Sequence, residues 1–177
     1  TQYLTVWSRE QKGNLPAERV LETPHRTYGI AVDEAAKEMF ITTQHPAAVL
    51  VWPKTAEGKP SPLRILEGDH TQLAEAQGVA VDTKNQLLYV SNKGAWAALN
   101  NNVAWGRLYN PDGTTWNINQ ATRILDFVPG TGEYRAPSIT VYPLKAKGDT
   151  APLRVIQGSQ TRLDWPSQMA VDVEHQE

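Results

Sequence analysis

Few residues in this sequence can carry chemistry, and their spacing is loose. There is no cysteine, which removes disulfides, thiolate metal sites and cysteine nucleophiles together. Of the histidines, His25 and His70 each stand six positions after an arginine (Arg19, Arg64), and Gln160 holds the matching place after Arg154. Such a pair can serve as ligand contacts or as a general base. The plainer reading is a recurring loop residue that bonds backbone. His45 lies in a short loop, His175 near the last residue, and no His-x-x-x-His spacing exists for zinc. Asp33, Asp82 and Asp172 recur as an acidic set that could suggest calcium. Each closes an apolar run, and Glu34-Ala35-Ala36 and Thr83-Lys84-Asn85 follow the first two, which is turn chemistry. There is no Gly-x-Ser-x-Gly elbow, phosphate loop or dinucleotide fingerprint. No catalytic residue, metal or cofactor is therefore assigned, and the reading leans away from an enzyme.

The elements that must position these residues are repeats. Leu4-Thr5-Val6-Trp7, Leu50-Val51-Trp52-Pro53 and Ile139-Thr140-Val141-Tyr142-Pro143 each hold an aromatic residue. Trp7 to Arg19, Trp52 to Arg64 and Tyr142 to Arg154 are all 12 positions, with Gly13, Gly58 and Gly148 between. Each arginine opens a short apolar run. A further element reads Gly29-Ile30-Ala31-Val32-Asp33, Gly78-Val79-Ala80-Val81-Asp82 and Gln168-Met169-Ala170-Val171-Asp172, and Met39–Thr42 and Leu88–Ser91 follow the first two copies. All are short, rich in β-branched and aromatic residues, and bounded by Gly, Pro, Asn or Asp, so they predict strands. No sustained helical period with caps occurs.

Four strands per repeat of about 45 residues is the period of a β-propeller blade. The Gly-[Ile/Val]-Ala-Val-Asp strand, the Leu-Tyr-Val-Ser-Asn strand and the aromatic-ended strand together resemble the NHL-type bacterial propeller repeat. The resemblance covers nearly all of the chain except 93–137. It implies an all-β propeller of four-stranded antiparallel blades, with Gly-Ile-Ala-Val-Asp innermost and the arginine-led run outermost, its arginines Arg19, Arg64 and Arg154 solvated. Gln168 departs from the glycine of the other two copies. Residues 1–177 then form a single partial propeller of about three blades. A ring needs at least four, so the expectation is that the rest of a longer chain, or a second copy, completes it.

One blade differs. Between its second and third strands the first full blade has only Gln44–Ala48, whereas the second has residues 93–137. Trp96, Trp105, Tyr109, Trp116, Phe127 and Tyr134 make this insertion too aromatic for a solvated linker. Its aromatics either form a local core or a recognition surface. By resemblance, the loops joining second to third strands lie on the face that carries binding, together with the crossing loops of His25 and His70.

The expected function is thus a non-catalytic binding scaffold, exported to an extracellular or periplasmic location, that takes a protein or glycan through this face. Candidate contacts are Trp96, Trp105, Tyr109, Trp116, His25, His45 and His70. Two alternatives stand beside it: a lyase- or lactonase-like propeller enzyme whose catalytic groups lie mostly elsewhere, and a structural subunit of a larger assembly. A net charge of −2 argues against nucleic acid. No apolar run is long enough for a membrane span.

Overall fold

A computed structural model of the chain describes residues 2–97, 133–175 and 177. The described residues form an all-β structure. Strands β1 (Gln2–Val6) and β2 (Arg19–Thr23) pair with each other. Strands β3 (Thr27–Asp33), β4 (Glu38–Thr43), β5 (Ala48–Pro53) and β6 (Arg64–Leu66) follow as an antiparallel meander in that order. A second four-stranded sheet repeats it with β7 (Ala76–Asp82), β8 (Leu87–Asn92), β11 (Ser138–Pro143) and β12 (Arg154–Gln157). Between β8 and β11, β9 (Ala95–Ala97) pairs with β10 (Glu133–Arg135). Single 3-10 turns at Asp69–Thr71 and Ser159–Thr161 follow β6 and β12.

The apolar pattern explains the layering. Strands β4 and β5 are buried at almost every position, without polar alternation. A strand reads this way when both faces of its sheet are covered. On one face Met39, Ile41, Leu50 and Trp52 pack with Leu21 of β2; on the other Phe40, Val49, Val51 and Leu66 pack with Val79, Leu88 and Tyr142 of the second sheet. In both four-stranded sheets the aromatic near the end of the third strand anchors a layer, whereas Trp7 lies beyond β1 and is half exposed. Trp52 donates its indole N–H to the Pro60 carbonyl at 3.0 Å, and the Tyr142 hydroxyl donates to the Thr71 carbonyl at 2.6 Å.

Two devices recur between layers. At a register shift in β3 the Gly29 N–H leaves the ladder and donates to Thr42 Oγ1 at 2.8 Å, and that hydroxyl donates to the Gln77 carbonyl of the next sheet. Gly78, Ser91 and the Ser167 carbonyl repeat the relay. Glycine is required there because a Cβ on Gly29 would meet the Gln77 carbonyl and would lie 2.9 Å from Val79 N. The second device is a glycine in the loop between third and fourth strands. Gly58 bonds the Val20 carbonyl and the Glu22 N–H, and Gly148 bonds the Ile65 carbonyl and the Glu67 N–H, in each case on the preceding outer strand.

Two expectations are corrected. Residues 168–172 are not a strand. They follow Ser167, whose carbonyl is held by Ser91, but no described second strand pairs with them, and a ladder is what makes a strand. The arginines of the outer runs are not all solvated. Arg64 forms a bidentate pair with Glu38 (2.8 and 2.7 Å), reinforced by Lys145, and reaches the Leu144 carbonyl at 3.4 Å. Arg19 likewise donates to the Lys54 carbonyl at 3.1 Å. These side chains point between layers, where a long cationic stem can cover apolar surface while its head bridges carbonyls.

Candidate functional site

One end of the two sheets gathers the polar side chains. The first strand of each sheet starts at this end and the second strand finishes there, as the facing pairs Thr27–Thr43 and Ala76–Asn92 fix. The residues just outside those pairs therefore meet. The Gln44 N–H donates to the Arg26 carbonyl at 3.0 Å, and the Lys93 N–H donates to the Glu75 carbonyl at 3.2 Å.

Arg26, Glu75 and Trp165 share an unusual backbone. Their φ values are 61°, 52° and 47°, the left-handed region. A residue with a Cβ adopts it at roughly 1 kcal/mol or more, and glycine adopts it freely. Each stands three positions before Gly29, Gly78 or Gln168. The conformation recurs while the side chain changes from guanidinium to carboxylate to indole.

These side chains link into a ladder. Arg26 and the Tyr28 hydroxyl donate to Gln44 Oε1 at 3.4 and 3.1 Å. The buried Gln44 extends the chain through its amide N–H₂ to Glu75 Oε2 at 2.7 Å. Lys93 Nζ stands 3.2 Å from the same oxygen and 3.9 Å from the centre of the Trp165 ring. His45 Nε2 faces the other oxygen, Glu75 Oε1, at 3.6 Å. Glu75, Lys93 and His45 are mostly covered, while Trp165 keeps 68% of its surface in water.

Burial holds the His45 imidazole below the usual histidine range. The Arg26 and Lys93 cations push it the same way, against the attraction of Glu75. It is accordingly neutral at pH 7, with one ring nitrogen to donate and one to accept. The cluster thus offers both donors and acceptors along one rim. No group of three His, Asp or Glu side chains among the described residues could hold a metal ion.

Of the sequence candidates, His45 lies in this cluster. His25 is exposed beside Arg26 and makes no hydrogen bond with a described residue. It is not the structural counterpart of His70, because the link from β2 to β3 is shorter than that from β6 to β7. His70 sits beside the outer strand, where Asp149 accepts from its backbone N–H at 2.7 Å and holds its Nδ1 at 2.6 Å. That pairing raises the His70 pKa. Trp96 lies in β9, its backbone opposite Tyr134. Trp105, Tyr109 and Trp116 fall outside the described residues. The aspartates act as turn residues: Asp33 accepts from the Ala36 N–H (2.9 Å), Asp82 from Asn85 (2.8 Å) and Asp172 from Glu174 (3.0 Å).

Sequence reasoning passed over Arg26, Gln44, Glu75, Lys93 and Trp165. A signal existed for three of them. The position three before the glycine of the repeat carries a bulky or charged residue at a strand entry, where turn chemistry favours glycine or asparagine. No described helix is long and apolar enough to cross a membrane. Comparison of the chain with protein-family models, with curated proteins and with solved structures finds no match.

Proposed function

We propose that this chain is an arc of a β-propeller whose polar end is the ligand-contacting face of a non-catalytic binding scaffold. The two matching four-stranded meanders, with first strands adjacent and outer strands joined by glycine contacts, support the propeller reading. The observation that carries the binding reading is the set of three left-handed residues, Arg26, Glu75 and Trp165. Left-handed residues also occur at the turns of Lys37, Gln72, Gln86 and Arg162, but these three belong to one linked polar cluster, and backbone strain gathered in a cluster suits a site.

The test is replacement by glycine. Arg26→Gly and Trp165→Gly relieve the backbone at the two exposed members of the set, which offsets the contacts their side chains made, so unfolding stability stays within about 1 kcal/mol of the parent. A loss above roughly 2 kcal/mol would make these side chains structural cement and defeat the reading.

A second reading, a propeller enzyme, is favoured by one feature. Glu75, neutral His45 and Lys93 are the only acid–base grouping at this end among the described residues. Turnover of simple lactones that disappears in Glu75→Gln would support that reading over the scaffold.

A further inference from the structure

The chemistry of the ladder narrows the ligand class, granted that this end is a binding face. A fully charged ligand of either sign would meet a repelling group, because the Glu75 carboxylate sits between the Arg26 and Lys93 cations. A cation would find Glu75 Oε2 already taken by Lys93 and the Gln44 amide. An apolar peptide would find only Trp165 and Tyr28 exposed among these side chains. What remains is a neutral ligand that both donates and accepts hydrogen bonds and has an apolar flat side. That is the description of a sugar: hydroxyls around the ring and C–H groups on its face.

The open valences fit this class. Glu75 Oε1 makes no hydrogen bond with a described residue, since His45 at 3.6 Å is beyond reach. A hydroxyl bridging the two from one side could donate to the carboxylate and bond the His45 ring nitrogen. Arg26 is exposed and uses one guanidinium nitrogen on Gln44, which leaves further donors in water. Trp165 is the exposed aromatic platform. The Lys93 ammonium lies over the indole ring and also contacts Glu75, so one sugar unit would stack on the ring surface the ammonium leaves free while its neighbour reaches the carboxylate.

We propose that this rim is an oligosaccharide-binding site, with Trp165 as stacking platform and Glu75, His45 and Arg26 as hydroxyl partners. The intact chain would be screened on immobilised neutral oligosaccharides (glucans, mannans, xylans and galactans) beside uronic-acid oligomers. The strongest neutral binder would then be titrated calorimetrically. The expected result is neutral-glycan binding that falls about tenfold or more in Trp165→Ala and in Glu75→Gln, and that is partly restored in Trp165→Tyr. Far-UV circular dichroism of each variant should match the parent, because Trp165 is an exposed side chain. Absence of neutral-glycan binding overturns the proposal, as does binding indifferent to both substitutions or confined to acidic oligomers. None of those results touches the scaffold reading, which stands or falls on the stability of the glycine variants.

Discussion

Gly29→Ala should damage this protein more than an alanine at either of the loop glycines, although Gly29 is the one with ordinary backbone angles. A Cβ there meets the Gln77 carbonyl and lies 2.9 Å from both Val79 N and Thr42 Oγ1. Two of those three atoms are backbone of the neighbouring first strand, so β3 and β7 must separate. Overpacking of this kind costs roughly 1–3 kcal/mol. Separation also breaks the relay from Gly29 through Thr42 to Gln77, leaving a buried N–H or carbonyl unpaired at a further cost of roughly 1–3 kcal/mol. The sum is about 2–6 kcal/mol, with a midpoint near 4. Gly58→Ala is the control, since its φ is +71° and no atom lies within 4 Å of the added methyl. It should cost about 1 kcal/mol for the left-handed backbone alone. Urea unfolding followed by circular dichroism reads both. With a slope of about 2 kcal/mol per molar, Gly29→Ala moves the midpoint by roughly 2 M and Gly58→Ala by about 0.5 M. Thr42→Ser should keep the parent midpoint and Thr42→Val should lose part of it. Equal midpoints for the two alanine variants would refute the close-approach argument.

Two expectations concern pH. Glu38 is held down to about 2, first by hydrogen bonds from Arg64 and then by Lys145, against the opposing effect of burial. Its folded pKa lies below the unfolded value, so its contribution is complete above about pH 4.5 and is lost as pH falls toward 2. Discounted for solvent screening, it amounts to roughly 2–3 kcal/mol. Glu38→Gln should lose that much at pH 7 and flatten the acid limb of stability; parallel curves for parent and variant between pH 5 and pH 2.5 would contradict it. The histidines should move in opposite directions. NMR titration should find His45 protonating below pH 6.5, where its protonation weakens the fold. His70 should protonate above pH 6.5, and its ion pair with Asp149 should disappear as pH rises through that raised value. Both transitions on one side of pH 6.5 would undo the assignment of burial to one and carboxylate pairing to the other.

Much of the architecture is legible in the amino-acid order because strands are local. The Gly-Ile-Ala-Val-Asp runs, the aromatic-ended runs and the arginine-led runs each became strands, and their spacing placed them in the right sheet order. The aspartates behaved as turn residues for the same reason, since the N–H groups that satisfy them lie two or three positions on. Residues 168–172 carry the same pattern and yet form no strand, because a ladder needs a partner that a local pattern does not supply.

The candidate site was legible only at His45. Arg26, Gln44, Glu75, Lys93 and Trp165 come from five separate stretches, and no spacing rule connects a strand entry in one sheet to a strand exit in another. The roles of Arg64 and His70 were hidden likewise, since Glu38 and Asp149 reach them from another strand and a loop. The sequence by itself determined the strand repeat and its turns, both properties of a few consecutive residues. Only the tertiary structure decided which polar side chains share one rim, because charge, burial and hydrogen bonding there arise between layers that the chain order leaves far apart.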